Sequence, residues 1–296
     1  MKTTVQAAIL ATLAAGMAGC ASVRVSQTPP GPSVRVCSYN VHEGAGERSN
    51  TLSVVCGSQA DIVVMEESSG PWMRFIQPAV TGAYAHAQSC YADSNGFPNG
   101  FSILSKWPCR EVAFVDDTNG FYGAWLVEIE CPIGPVFVLA VHLDAPADRQ
   151  GRPAILPYFL TQGRRRDRIK RDFGPVPPGA PLLVLGDFNE GGHGGAVRRL
   201  KKEHLTDALP LFGCRTATWT GSFWGIPLWF QLDHILFSPD FVCYDCGVCK
   251  GGGSDHRAVW ALFGSALDDP TSRREVMPKT ARPDRSGDAL PMLTPR

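Results

Sequence analysis

The sequence predicts an α/β fold: a four-layer sandwich in which two packed mixed β-sheets are flanked by helices. Three observations lead there. Eight short apolar runs recur along the chain, several rich in β-branched residues and bounded by Gly, Pro or Asp, as strands are. Helical patterns are fewer and scattered between those runs. The chain has 296 residues, and a single two-sheet domain can take up most of that length. Periodicity alone does not separate this arrangement from a doubly wound sheet.

In order, the runs are SVRVCSY (33–39), DIVVM (61–65), GFSILS (100–105), GAWLVEIE (123–130), VFVLAVHL (136–143), PLLVLG (181–186), LDHILFS (232–238) and RAVWALF (257–263). The helical candidates are GRRRDRIKRDF (163–173) and GGAVRRLKKEHL (194–205). The folded domain is expected over residues 34–264. Ahead of it, residues 20–33 include SQTPPGPS, a polar, proline-rich tether. Behind it, residues 265–296 are rich in Pro, Arg and Asp with few aliphatics. Such a tail buries too little surface to offset its ordering entropy and is expected to be disordered.

Composition narrows the function classes. Hydrophobic residues make up 44% and charged residues 19%, with a formal net charge of zero. No global field draws the chain to nucleic acid or to an acidic membrane, so any nucleic-acid contact must rest on a local patch. At the N-terminus, Lys2 precedes the apolar stretch VQAAILATLAA (5–15), too short to span a bilayer. The following GMAGC resembles a bacterial lipoprotein signal, with Met17 where Leu is usual. That resemblance implies removal of residues 1–19, lipidation of Cys20, export, and a lipid anchor in the cell envelope facing the periplasm or exterior. Ala21 favours the outer membrane. An ordinary secretory signal is the alternative. Nine of the ten cysteines follow Cys20. In an oxidising compartment, disulfides or plain packing are the expected state of these, CYDCGVC (243–249) included, rather than a metal site.

Polar residues gather at the C-terminal ends of the apolar runs. SYNVHEG carries Asn40 and His42, DIVVMEES carries Glu66 and Glu67, and VLAVHLD carries His142. LVLGDFN carries Asp187 and Asn189, QLDHIL carries Asp233, and GGGSDHRAV carries Asp255 and His256. A buried Asp costs several kcal/mol unless a charge or hydrogen bond compensates it. Six strands in order deliver the same kind of chemistry, and strand-end loops on a rigid sheet are where binding residues concentrate.

With YNVHEG, DIVVMEE, NGFSILS, VHLD, GDFN, LDHIL and SDH in this order, the chain resembles the endonuclease/exonuclease/phosphatase superfamily of metal-dependent phosphoesterases, above all its deoxyribonuclease-like and sphingomyelinase-like branches. The resemblance covers about residues 34–264 and implies the two-sheet sandwich. It implies that Asn40, Glu67 and Asp255 serve a Mg²⁺ or Mn²⁺ site, hard oxygen donors suiting those ions. Glu66 stands where the family often has Gln. This leaves open which adjacent glutamate binds metal, and strand alternation lets only one point into the site. Asp187 matches the carboxylate that orients or deprotonates water, and Asn189 an amide donor to a phosphoryl oxygen. His256 matches the His beside the scissile phosphate, Asp233 its carboxylate partner, and His142 a candidate general acid. Asn99 matches a substrate-side Asn more loosely.

Other residues read more plainly. His42 is expected to be structural, with contact to substrate or metal as the alternative, and His234 to pack on the face opposite Asp233. RRRDRIKR (164–171) holds six cations in eight residues. It reads as a solvated face on which Arg164 and Arg168 share a side with Asp172 and Asp167 pairs with Arg171; a phosphate-tracking patch is the alternative. The aromatics of TWTGSFWGIPLWF (218–230) are either core or a lip that stacks bases or touches lipid. Together the lipoprotein and family resemblances imply an exported, metal-dependent hydrolase of phosphodiester or phosphomonoester bonds, a nuclease first. The alternatives are a phospholipid or sphingomyelin phosphodiesterase, a catalytically inactive binding lipoprotein on the same fold, and a zinc hydrolase using His42, His142, Asp187 and His256. A monomer is expected.

Overall fold

The computed structural model describes residues 23–42, 47–91, 100–116, 123–145, 161–223 and 226–270. The signal segment with Cys20, Asn99, and the tail beyond residue 270 lie outside the described residues. Two six-stranded sheets form the frame. The first runs β13 (Phe241–Val248), β14 (Val259–Ser265), β1 (Ser33–Asn40), β2 (Ile62–Ser68), β4 (Gly100–Ser105), β3 (His86–Tyr91). The second runs β5 (Cys109–Val115), β6 (Ala124–Cys131), β7 (Gly134–His142), β8 (Leu182–Asp187), β12 (Asp233–Phe237), β9 (Thr206–Asp207). A separate hairpin joins β10 (Trp219–Phe223) to β11 (Ile226–Phe230).

Each sheet has one parallel pair at its centre, β1 with β2 and β7 with β8, and antiparallel neighbours elsewhere. Strand alternation explains the layers. Val34 and Val36, Ile62 and Val64 from the first sheet meet Val136, Val138, Leu183 and Leu185 from the second in the central core. The opposite residues, Cys37, Tyr39, Val63 and Met65, pack beneath α1 (Arg48–Gly57) and α2 (Gly70–Val80). Leu139, Val141 and Val184 pack beneath α3 (Gln162–Asp172) and α4 (Gly195–Lys202). Strands covered on both faces read as continuous apolar runs, which is why these were the ones legible in the sequence. A short α5 (Ala208–Leu211) completes the described helices. The α/β sandwich of two packed mixed sheets is therefore present. None of the described helices is long and apolar enough to cross a membrane.

Local chemistry sets several boundaries. Ser69 caps α2 by accepting the Trp72 N–H at 3.2 Å, and Pro71 sits in the first turn. The apolar stripe Trp72, Met73, Ile76 and Val80 then faces the sheet. Gly186 adopts φ +143°, and a Cβ there would lie 1.9 Å from the Val141 carbonyl oxygen. That close approach brings the end of β8 against β7.

One expectation changes, and two others take a definite form. The Arg-rich helix is not a solvated face: Arg165, Arg168 and Asp172 are buried, while Arg164, Arg166, Asp167, Lys170 and Arg171 stay exposed. Arg168 pairs with Asp172 and with Asp144, and Arg171 also turns to Asp172, so Asp167 meets Arg166 instead. The nine described cysteines are free thiols; Cys243 and Cys246 pack in or against the central core. The stretch read as a tether is tied to the domain, with the Arg24 N–H on the Leu211 carbonyl and the Gln27 N–H on that of Tyr244.

Candidate active site

The polar strand ends converge where both parallel pairs terminate. Register places Asn40 beside Glu66 across β1 and β2, His142 beside Asp187 across β7 and β8, and Asp187 opposite Asp233 across β8 and β12. The tip of the first sheet meets that of the second through Asn40, whose Nδ2 donates to Glu67 Oε1 at 3.0 Å and to Asp187 Oδ2 at 3.3 Å. Asn40 Oδ1 accepts the His42 N–H at 3.0 Å. Ser254 Oγ donates to the Asn40 carbonyl at 2.8 Å and accepts the His256 N–H, which fixes the loop bearing Asp255 and His256.

Strand alternation at β2 breaks at its end. Glu66 continues the inward face of Ile62 and Val64 and is fully buried, with Oε1 accepting from Ser38 at 2.8 Å. A bulge follows, and Glu67 takes φ +52°. This turns Glu67 out of its expected direction and onto Asn40, so both glutamates lie at the site, Glu66 underneath and Glu67 facing it. Burial raises both carboxyls above the usual range, Glu66 strongly.

His256 sits between two carboxylates. Its Nδ1 lies 2.9 and 3.2 Å from the oxygens of Asp233, and its Nε2 lies 3.5 Å from Asp187 Oδ2. Burial opposes charge on the ring, yet Asp233 and then Asp187 outweigh it and hold the imidazole well above its ordinary range. The two carboxylates therefore favour the imidazolium form of His256. Asp187 is pushed up to about 7 by burial, against the opposing pull of His256. Its Oδ1 accepts the Asn189 N–H at 2.8 Å. Asn189, at φ +51°, also donates from Nδ2 to the Leu143 carbonyl and to Asp187 Oδ2.

His142 is buried, its Nε2 3.4 Å from Asp187 Oδ2 and 3.6 Å from Glu67 Oε1. Burial, with His256 and Arg168 nearby, keeps it well below its ordinary range, so it stands neutral. Asp255 bonds His42 Nδ1 through Oδ1 at 2.6 Å and accepts Trp219 Nε1 on Oδ2 at 2.8 Å. Burial works against its charge, but the His42 bond and the His256 charge prevail and bring it down to about 2. His42 is thus drawn into the site rather than left structural. His234 does pack on the other face, buried against Phe188 and bonded to Asp207 and to the Glu190 carbonyl.

Two contributors, Thr218 and Glu190, were not singled out from sequence, and Trp219, read there as core or lip, has a more specific role. Trp219, stacked on Phe230, anchors Asp255. Thr218 Oγ1 accepts the N–H groups of Leu232 and Asp233 and sets the start of β12. Glu190, next to Asn189, is fully buried and accepts from Arg165 Nε and from the Gly195, Ala196 and Val197 N–H groups at the start of α4. The pair Gly194–Gly195 was the available signal: a Cβ on Gly194 would lie 2.1 Å from the Glu190 carboxyl carbon. Beyond Trp219, β10 and β11 stand beside the site with Ile226 and Trp229 exposed at 56% and 61%.

The family model of the endonuclease/exonuclease/phosphatase family matches residues 37–256, from the middle of β1 to His256. The chain belongs to that family. An endonuclease/exonuclease/phosphatase from Beutenbergia cavernae DSM 12333 is similar in structure, with TM-score 0.59, 16% identity, and coverage of 79% of this chain and 72% of that one. TDP2 from D. rerio, solved with a single-strand DNA product, aligns at TM-score 0.56 and 14% identity over 79% of this chain and 99% of that one. Staphylococcus aureus beta toxin aligns at TM-score 0.56 and 15% identity over 77% and 99%. At these identities the likeness is one of fold. No curated protein matches the chain in sequence.

The site's donors suit a divalent cation. The half-buried carboxylate of Glu67 and the buried one of Asp187 face one Asn amide, and desolvation holds both above their usual range, a surplus of acid that a cation would relieve. Among the described residues, ligand atoms of Asp187, Asp233 and His256 lie within 4.8 Å of one another. His256 is there held through both nitrogens by the two carboxylates, which marks that trio as a proton-handling group. Glu67 and Asp255 offer oxygen on the other side, whereas Asn40 turns its amide nitrogen to Glu67.

Proposed function

We propose that this chain hydrolyses phosphodiester bonds with the help of a divalent cation. One observation carries the reading: the His256 ring, buried between the carboxylates of Asp233 and Asp187 at the point where the two sheets meet. A phosphodiester is anionic, and charge grows on its phosphoryl oxygens in the transition state; a buried, pre-oriented cation and amide donors stabilise that charge. Asp233 holds the tautomer and the charge of His256. Asp187, poised near 7, is placed to take a proton from water. Asn189 keeps Asp187 oriented through its backbone and side-chain N–H groups. His142, being neutral, acts here as an N–H donor or proton acceptor, and releasing a proton to a leaving oxygen would require it to be charged first. Glu67, with Asn40 and Asp255, would hold Mg²⁺ or Mn²⁺, which supplies Lewis-acid neutralisation of the phosphoryl oxygens.

Nucleic acid is the first substrate class in this proposal. The family and the fold shared with a TDP2 solved with single-strand DNA support it. A phospholipid phosphodiester is the second reading, favoured by Ile226 and Trp229, exposed on the hairpin whose Trp219 bonds Asp255, and by the fold shared with beta toxin. Export and a lipid anchor on Cys20 belong to the same proposal and rest on the GMAGC resemblance alone. The test is a panel of DNA, RNA, sphingomyelin, inositol phosphates and bis-p-nitrophenyl phosphate, each with Mg²⁺ and with EDTA. Turnover that survives EDTA refutes the cation dependence, and no turnover on any diester leaves the inactive binding lipoprotein standing.

A further inference from the structure

The net charge of zero hides an uneven distribution. Helices α3 (QGRRRDRIKRD) and α4 (GAVRRLKK) together hold ten Lys and Arg against two Asp, in a chain with 28 residues of each sign. Two of the ten, Arg165 and Arg168, are buried and matched by Glu190 and by Asp172. The other eight stand at the surface, seven exposed and Arg199 half-buried. Asp167, paired with Arg166, is the one exposed carboxylate on either helix. The side chains of Arg164, Lys170 and Lys202 make no ion pair or hydrogen bond with other described residues.

The basic face is continuous and starts at the site. The two helices touch: a Cβ on Gly195 would lie 2.7 Å from the Gln162 carbonyl oxygen and 3.2 Å from Arg166 Cβ. Both begin at the site's rim. Helix α4 opens from the loop after Asn189, with its first N–H groups on Glu190. Helix α3 opens beside Asp144, two residues past His142, where Arg165 donates to the Asp144 carbonyl. From there α3 runs for 11 residues, roughly 16 Å. That length matches about five phosphates of one duplex strand. None of the large apolar side chains exposed among the described residues lies on either helix. A face that enters a membrane pairs its cations with exposed apolar residues, so this one fits a phosphate backbone better than a bilayer.

We propose that the outer face of α3 and α4 grips the backbone of a nucleic acid whose scissile phosphate lies at His256. Its role as a substrate grip rests on the proposed phosphodiesterase reading; the binding itself does not. Surface Lys and Arg release the counterions condensed on the phosphates, which gives affinity without reading sequence. A short diester held at His256 does not reach the face, whereas a polynucleotide does. The face therefore favours long substrates through KM and leaves the chemical step alone.

Binding is measured on the full chain in EDTA, by fluorescence anisotropy of fluorescein-labelled DNA, single-stranded and duplex, over a series of salt concentrations. Arg164→Gln, Lys170→Gln and Lys202→Gln are combined in one variant. Arg74→Gln, exposed on α2 in the opposite outer layer, is the control. The triple variant should bind about tenfold more weakly or worse at low salt, and its slope of log K against log salt should fall by about 2 to 3. Arg74→Gln should leave that slope unchanged. Turnover of bis-p-nitrophenyl phosphate with Mg²⁺ should be alike in all of them, while KM for DNA rises in the triple variant. The three positions are exposed, so melting temperatures should match the wild type; the single variants carry the test if the triple does not fold. Wild-type affinity and salt slope in the triple variant overturn the proposal. So does loss of binding to phosphatidylglycerol vesicles in that variant with DNA binding intact, which makes the face a membrane contact. A wild type inactive on bis-p-nitrophenyl phosphate refutes the hydrolase reading instead, and the anisotropy still decides the face.

Discussion

Replacing Glu190 should cost more stability than any exposed charge in the chain. Its carboxylate is fully buried and accepts four hydrogen bonds: Arg165 Nε at 3.1 Å, and the N–H groups of Gly195, Ala196 and Val197 at 3.0, 2.6 and 3.0 Å. Glu190→Ala leaves three N-terminal donors of α4 without that acceptor and removes the counter-charge of the buried Arg165, which keeps the Asp144 carbonyl and Thr161. Breaking one side of a buried pair costs about 3–5 kcal/mol. In a domain of this size each kcal/mol moves the melting temperature by about 2–4 °C, so a fall of roughly 6–20 °C is expected. Glu190→Gln keeps the shape and one acceptor oxygen and should lose about half as much. Urea denaturation gives the free energy directly if the slope is unchanged. Adding Arg165→Met to Glu190→Ala should restore part of the loss, because the unmatched charge goes with it. A Glu190→Ala midpoint within about 0.5 kcal/mol of wild type would show that the buried pair and cap carry no net stability, and the reasoning would fail.

Other consequences are equally direct. Asp233→Asn keeps the shape but removes the charge that holds His256 as an imidazolium; turnover of bis-p-nitrophenyl phosphate with Mg²⁺ should fall by about 10²–10⁴, and adding His256→Ala should lower it little further. Additive losses would separate the two residues. Gly186→Ala places a Cβ 1.9 Å from the Val141 carbonyl oxygen at φ +143° and should destabilise by at least about 3 kcal/mol in urea; a wild-type midpoint would refute the packing at the β7–β8 tip. His234 has both ring nitrogens facing acceptors, and although burial opposes its charge, Asp207 raises it above its ordinary range. Its folded state holds the proton more tightly than the unfolded chain. Its contribution is therefore complete below about pH 6.5 and is lost as pH rises through the raised value. The melting-temperature gap between wild type and His234→Gln should narrow from about pH 6 upward, and a gap that widens would reverse the assignment.

The strands legible in the sequence are those buried on two faces: β1, β2, β4, β6, β7, β8, β12 and β14 all lie in or near apolar runs. The ones missed, β3, β5, β9, β10, β11 and β13, lie at sheet edges or outside the sheets, where polar residues, the Pro227 of β11 or the two-residue length of β9 obscure the pattern. Helix α1 buries only Thr51, Val54 and Val55, too weak a stripe to read, and α2 carries Pro78, which argues against a helix on sequence alone. The strand-end residues of the site could be picked out because each is polar where its strand is not. Their mutual bonds could not, since Asn40 and Asp187 are 147 positions apart. Glu67 was reached through resemblance, but the bulge that aims it leaves no mark in the sequence. Glu190 escaped notice because its partner Arg165 sits within a run of cations most of which are exposed.

The division of the site between two sheets has a bearing on how the molecule would fail. Asn40, Glu67, Asp255 and His256 ride on one sheet or its loops, His142, Asp187 and Asp233 on the other, and the contacts between the halves are a few hydrogen bonds near 3 Å. The sheets themselves are joined by side-chain packing with no shared backbone ladder. A slip of one ångström along that apolar seam would break those bonds while leaving every strand paired. Catalysis would then vanish before circular dichroism registered any change, and substitutions deep in the central core, at Val138 or Leu185 for example, would register in turnover as lesions of alignment at a distance.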